Sequence, residues 1–332
     1  PPTPTLYSSS AASDVYKRQI CGSDLHTIKG DRVEPVPSIL GHEILGSVVE
    51  VGDPPLLDID GDPLKPGDRV TWSTCISCFQ CEHCKSGLPQ KCVRVAKYGH
   101  DVAEGRYPLS GGLAEYIVLR PGSSVVKLRP GLPDDVVCPV NCATATVAAA
   151  CRAAGSLSGK RILIFGAGML GLTLSAYARA AEARSIVVVD TDKTRALRAT
   201  RFGADDAACW DPDTDRDISY RLTDAVFECS GSANAVELAI QSGKIGTQIV
   251  LVGSVRKSPC VAIDPERIVR HCLTIKGVHT PQDLRAAVEF LEQQHTSFPF
   301  GELVEQTFPL AEVNEAVQFA LNHHPIRVAV RP

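Results

Sequence analysis

A chain of 332 residues with 44% apolar and 22% charged residues has material for two domains with buried cores and is not composed like a disordered chain. A formal net charge of −4 and only 5% aromatic residues provide neither the basic field nor the stacking surface of a nucleic-acid binder, and no reason to bind an anionic membrane. Thirteen cysteines cannot all pair with one another. Five of them crowd into residues 75–92, a pattern of metal ligands in a reducing, cytoplasmic compartment, and no secretory leader is legible.

Residues 1–19 are rich in Pro and Ser with no sustained hydrophobic period, and predict a disordered or loosely docked tail unlike the rest of the chain. From Ile20 to about Val140, short β-type runs alternate with Gly and Pro punctuation: Ile44–Val51, Arg69–Trp72, Ala114–Leu119 and Ser124–Leu128. The pattern changes near Cys142. An Ala-rich helix is predicted over Thr144–Ala154, then a buried parallel strand over Arg161–Phe165. Strand candidates come next at Ser185–Asp190, Ala225–Glu228, Gln248–Val252 and Leu273–Lys276. Helical patterns at Leu170–Ala180, Lys193–Phe202, Ala233–Ile240 and Pro265–Arg270 are interleaved with them. Such alternation predicts a doubly wound parallel sheet. Helices at Asp283–Gln293 and Leu310–Asn322 and a strand at Arg327–Val330 close the chain.

Gly166-Ala-Gly168-Met-Leu-Gly171 follows the strand at Arg161–Phe165 and opens a helix, and Asp190 ends the next strand 22 residues beyond Gly168. This is the dinucleotide-binding fingerprint in its proper context. Gly166 permits the tight turn, Gly168 lets the backbone approach a pyrophosphate, and Gly171 lets helix and strand pack closely. The helix start offers N–H groups and positive dipole to phosphate. Asp190 can accept hydrogen bonds from the adenosine ribose and repels a 2′-phosphate, which favours NAD over NADP. Arg195 could flank the ribose or accommodate a phosphate. The longest apolar run, Ile162–Ala178, is this glycine-interrupted strand–turn–helix and not a membrane span.

Cys78, Cys81, Cys84 and Cys92 supply four thiolates from fifteen residues, the donor set of a structural zinc site that would fold the lobe 75–92. Cys75 extends the same two-residue ladder as a fifth candidate, and His83 is expected to be exposed.

Three further segments are Ile20-Cys21-Gly22-Ser23-Asp24-Leu25-His26, Gly41-His42-Glu43 and Asn141-Cys142-Ala143-Thr144-Ala145-Thr146. Together with the cysteine lobe and the dinucleotide fingerprint, they resemble the medium-chain zinc-dependent alcohol dehydrogenase family, from Ile20 to Arg331. The resemblance implies an α/β chain with a GroES-like β-rich catalytic domain (20–142 and 277–332) and a Rossmann doubly wound nucleotide domain (143–276). It implies two zinc ions per chain and NAD as cofactors. Cys21, His42 and Cys142 would hold a catalytic zinc, with Glu43 beside it and Asp24 orienting the ligand histidine. Ser23 and His26 would carry the alcohol proton toward solvent. Thr146 would contact nicotinamide, Gly253 would face the cofactor crevice, and Arg327 would lie near the pyrophosphate. The implied substrate is a small alcohol or its aldehyde or ketone, and the implied assembly a homodimer or homotetramer. Leu88-Pro89-Gln90-Lys91-Cys92 and Lys97-Tyr98-Gly99-His100 also resemble a branch associated with phosphonate catabolism. A remaining alternative is an inactive, truncated relative that binds nucleotide and zinc, because the family carries about thirty more residues before the Cys21 motif.

Overall fold

The computed structural model describes residues 11–103, 108–211, 223–253, 261–279 and 283–332. Residues 1–10 of the expected tail, and Cys260, lie outside them. In chain order the first elements are β1 (Ala11–Ile20), α1 (Gly22–Ile28), β2 (Glu43–Val51), β3 (Arg69–Ile76), α2 (Glu82–Lys85), β4 (Ala96–Lys97), β5 (Tyr116–Leu119), β6 (Ser123–Lys127) and α3 (Asp134–Val137). Next come α4 (Ala145–Ala154), β7 (Arg161–Phe165), α5 (Met169–Ala180), β8 (Ser185–Asp190), α6 (Lys193–Arg198), β9 (Asp206–Cys209), β10 (Thr223–Glu228), α7 (Ala233–Gln241), β11 (Gly243–Leu251), α8 (Pro265–Arg270) and β12 (Thr274–Gly277). The chain ends with α9 (Leu284–Gln294), β13 (Val304–Pro309), α10 (Val313–His323) and β14 (Arg327–Arg331).

Two compact units divide these elements. The first comprises Pro1–Ala145, Thr280–Glu292 and Phe300–Pro332; the second comprises Thr146–His279 and Gln293–Pro299. This division differs from the expected bounds at residues 143–145, which fall in the first unit, and at residues 277–279 and Gln293–Pro299, which fall in the second.

The first unit is built on an eight-stranded sheet with the path β13-β14-β1-β2-β3-β4, β5 joining β1 and β6 joining β3. Its core gathers Val15, Ile44, Val48, Trp72, Tyr98, Ile117 and Val125, with the Trp72 and Tyr98 rings edge to face at 6.1 Å. The position of β1 corrects the expectation of a tail through residue 19. The strand is a central member of the sheet and pairs with β2, β5 and β14. Its period-2 signal is carried by small residues: Ala11, Ser13 and Val15 are buried while Ala12 and Asp14 are less so. Small side chains seat in the pleat without marking it as hydrophobic.

The second unit is a six-stranded parallel sheet in the order β12-β11-β10-β7-β8-β9. Numbered within the unit and read from the opposite edge, this is 3-2-1-4-5-6, the doubly wound order whose reversal falls between β7 and β10. Ile162, Leu163, Ile164 and Phe165 of β7 are buried, which explains why that strand reads as a continuous apolar run. Phe165 meets Trp210 edge to face at 6.0 Å. Local capping agrees with the fold: the Asp192 side chain accepts from the Arg195 N–H at the start of α6, and the Asp264 side chain does the same for Glu266 ahead of α8. Among the described residues one helical stretch, Asp134–Ala154, is long and apolar enough to cross a membrane, and 78% of its apolar window is buried inside the folded chain.

Candidate metal centres and dinucleotide site

The four sulfurs of Cys78, Cys81, Cys84 and Cys92 lie within 4.8 Å of one another. The strand β3 delivers the chain to Cys78, and the short helix α2 begins right after Cys81 and carries Cys84 back toward it. The Cys81 and Cys84 sulfurs are 3.5 Å apart. Backbone N–H groups of Cys78 and Arg94 donate to the Cys92 sulfur at 3.4 and 3.3 Å. Backbone N–H donors from Gln80 and Cys81 hold the Cys78 thiol down to about 5, whereas burial against its neighbours pushes Cys84 up to about 12. A cluster that stabilises some thiolates and forces protons onto others is short of positive charge at its centre, and four soft donors suit zinc. Cys75 lies outside this group, fully buried in β3 with its sulfur 3.9 Å from the Thr74 hydroxyl. His83 is exposed.

The second donor group assembles Cys21, His42, Glu43 and Cys142, again within 4.8 Å of one another. Cys21 ends the turn between β1 and α1, and the Cys21 N–H donates to Asp24 Oδ2 at 2.9 Å. Glu43 opens β2 and His42 immediately precedes it. Cys142 lies in a widened turn, Val140–Thr144, that leads into α4. Such widened turns are frequent at functional positions in helices. Asn141 in the same turn donates from Nδ2 to the carbonyls of His42 and Trp72, both at 2.8 Å, and so fixes the turn to the strand that carries His42.

Electrostatics within the group are strongly coupled. A hydrogen bond from Cys142, with help from Arg327 and His42, holds Cys21 well below the ordinary thiol value against the effect of burial. The same hydrogen bond, with burial, holds Cys142 well above it. Burial disfavours charge on His42, but the Asp24 carboxylate and the Cys21 sulfur outweigh it and raise the imidazole well above the ordinary histidine value. Burial lifts Glu43 to about 7 despite the opposing Arg327 guanidinium. Two thiols, an imidazole and a carboxyl crowded out of water call for a cation, and the S/N donors fit zinc. Asp24 is buried, with Oδ1 3.3 Å from His42 Nδ1, the arrangement of a carboxylate that orients a ligand histidine.

Ser23, His26 and Arg327 complete the surroundings of this group. The Ser23 hydroxyl lies 3.5 Å from His42 Nε2. His26 is half exposed, its Nδ1 3.3 Å from Asp31. The Arg327 guanidinium is buried against Glu43, with Nη2 3.9 Å from the Cys21 sulfur. That pairing was invisible in the sequence, because 284 residues separate the partners.

In the second unit, Gly166 takes a φ of +96°, and a Cβ there would approach the Ser230 backbone N to 3.0 Å. A Cβ on Gly171 would lie 1.8 Å from the Gly166 carbonyl oxygen, so the helix start presses directly on the turn. A Cβ on Gly168 would meet nothing within 4 Å: open space lies where a ligand phosphate is expected. Asp190 is nearly buried. Its Oδ2 accepts from the Ala167 N–H at 2.7 Å, its Oδ1 from Asp192 N–H at 2.8 Å, and Arg195 Nη2 lies 3.4 Å from Oδ1. Gly253 follows β11, and a Cβ there would strike the Gly231 N and Glu228 Oε2. Thr146 lies in the first turn of α4. Sequence reasoning passed over Glu228, whose buried carboxylate accepts from the Ser230 N–H at 2.7 Å and the Gly231 N–H at 2.9 Å and so shapes the turn facing Gly166. A carboxylate at the end of an apolar strand, two residues before a Ser-Gly turn, was the available signal.

Two family descriptions match the chain: the alcohol dehydrogenase GroES-like domain over residues 14–134 and the zinc-binding dehydrogenase domain over residues 170–293. S-(hydroxymethyl)glutathione dehydrogenase of Escherichia coli O157:H7 is 29% identical over 341 residues, covering 94% of this chain and 89% of that protein. The crystal structure of an alcohol dehydrogenase from Thermotoga maritima superposes with a TM-score of 0.90 at 27% identity, over 98% of this chain and 93% of the other. A zinc-binding dehydrogenase from Sinorhizobium meliloti, solved with NADP, shares the fold with a TM-score of 0.85 at 23% identity, over 100% and 94%. The chain belongs to the medium-chain, zinc-dependent alcohol dehydrogenase family and is an oxidoreductase. The phosphonate reading finds no support among these relatives.

Proposed function

We propose that the protein interconverts a small alcohol and its aldehyde or ketone with NAD as the hydride carrier, using zinc held by Cys21, His42 and Cys142. The observation that carries this reading is the convergence of those donors, with Glu43, within 4.8 Å. Zinc bound there supplies a Lewis acid that makes an alcohol hydroxyl more acidic at neutral pH. The chain's own residues do the rest. Asp24 keeps His42 in one orientation and tautomer. Ser23, next to His42 Nε2, receives the hydroxyl proton, and half-exposed His26, held by Asp31, releases it to water. Gly168 and the start of α5 cradle the dinucleotide phosphates, and Asp190 takes the adenosine ribose. The four-cysteine lobe holds a second, structural zinc. Metal analysis of the purified chain should give about two zinc ions. Cys21→Ala should lose one of them and alcohol oxidation with it, while NAD binding persists. Unchanged turnover in that variant, or one zinc in the wild type, defeats the proposal.

A further inference from the structure

His100 has no role in the proposed reaction, yet it is buried at 6% exposure beside the ligand histidine. The backbone explains how it gets there. Two Gly-His steps, Gly41-His42 and Gly99-His100, are pressed together: a Cβ on Gly99 would come within 2.5 Å of the Gly41 carbonyl oxygen. Both glycines take positive φ, +94° and +75°, so no other residue type fits either position without strain. Hydrogen bonds lock both turns, from the Gly112 N–H to the Gly41 carbonyl at 2.8 Å and from the Gly99 N–H to the Ser110 carbonyl at 2.9 Å. The two following side chains are thereby forced side by side, with ring centroids 4.9 Å apart and planes inclined at 37°. Ligating atoms of Asp24, His42 and His100 all lie within 4.8 Å of one another.

We infer that His100 is a positioning residue for the metal-binding imidazole of His42: Asp24 holds that ring by its edge and His100 covers its face. His100 is itself anchored from behind. Its Nδ1 is sealed from solvent without a hydrogen-bond partner, and the nearest acid is Glu34, with Oε1 3.9 Å away. Glu34 in turn is ion-paired with Arg32. An apolar ring would pack here without the cost of a sealed, unpaired imidazole nitrogen, so the hold on His42 comes from the ring laid against it and not from the nitrogens of His100. The segment that carries Arg32 and Glu34 is tied to the His100 loop by the Ser38–Val102 bridge and by the Ala103 N–H donating to the Pro37 carbonyl at 2.8 Å. The orientation of His42 is thus set from two directions, by α1 through Asp24 and by the residue 99–103 loop through His100.

This inference rests on the proposed metal role of Cys21, His42 and Cys142, and the test separates the two. Cobalt(II) is loaded into the full chain, and its visible absorption and its release to a chelator are followed in wild type, His100→Ala and His100→Phe. The four-cysteine lobe serves as an internal control for folding. The expected result is an unaltered lobe in all three proteins. In His100→Ala, binding at the second centre weakens about 10- to 100-fold and its absorption bands shift. His100→Phe, which restores a ring against His42, recovers most of the affinity. Wild-type affinity and an unshifted spectrum in His100→Ala overturn the inference while leaving the metal site intact. A wild-type chain that loads the lobe alone overturns both.

Discussion

Arg327, on the last strand of the chain, grips Glu43 with two nitrogens: Nε lies 3.1 Å from Oε2 and Nη2 3.2 Å from Oε1. The carboxylate is fully buried, and among the described residues this fork is its main compensation. Removing one partner of a buried pair leaves the other desolvated and unpaired. Arg327→Gln should therefore cost about 3 kcal/mol of stability, read from chemical denaturation. Arg327→Lys should recover only part of the loss, because an ammonium cannot reproduce the planar fork. A loss below about 1 kcal/mol, the range of an exposed pair, would contradict this role for the pair.

Gln19 presents the opposite situation. It is completely buried in β1, and neither its amide oxygen nor its nitrogen finds a partner among the described residues. Two unpaired polar atoms out of water are a standing cost that an apolar chain of the same shape removes. Gln19→Met should stabilise the protein by about 1–2 kcal/mol, seen as a higher denaturation midpoint with an unchanged slope. Lower stability would mean that the amide has partners of its own.

Asp190 is the proposed discriminator between the two nicotinamide dinucleotides. Asp190→Asn removes the charge that repels a 2′-phosphate and frees Arg195, 3.4 Å away in the wild type, to meet that phosphate. The NAD/NADP preference, taken as a ratio of kcat/KM values, should move toward NADP by about 10- to 100-fold, the equivalent of one charge-assisted hydrogen bond gained or lost. An unchanged ratio would remove Asp190 from this role.

Asp224 gives the second unit a dependence on acid. Burial tends to raise its carboxyl, but Lys244 and Arg161 together outweigh burial and bring it from 3.8 down to about 2. A carboxylate depressed in the folded state contributes stability that is fully present above pH 3.8 and is lost as pH falls through about 2. Asp224→Asn should be less stable than wild type at pH 5, and the gap should close between those two values. A gap that stays constant across that window would show that Asp224 contributes through shape and not through charge.

The second unit was legible in the sequence nearly strand by strand, because parallel strands buried on both faces announce themselves as apolar runs and the glycines mark the turn after β7. The strands missed were β1, β4, β9 and β13. Each is polar or built of small residues, and each is held by its neighbours in the ladder more than by propensity. Helix α1 hid behind its short length and a glycine start. At the metal centre, Cys21, His42 and Cys142 could be named from motifs, and chain folding places their donors together. What motifs could not supply were contacts between residues far apart in the chain: Glu43 with Arg327 across the sheet, and His42 with His100 between two turns. Those depend on register and on close backbone approach, neither of which is written in any local pattern.

The first unit's sheet threads β14 between β13 and β1, joining the earliest described strand to the final one. During synthesis that ladder stays open until the ribosome has released residues 327–331, whereas all six strands of the second unit are available by residue 277. The second unit can thus mature on the ribosome while the first waits for residues 327–331. A stop codon just ahead of residue 327 would spare the second unit and leave the first unclosed.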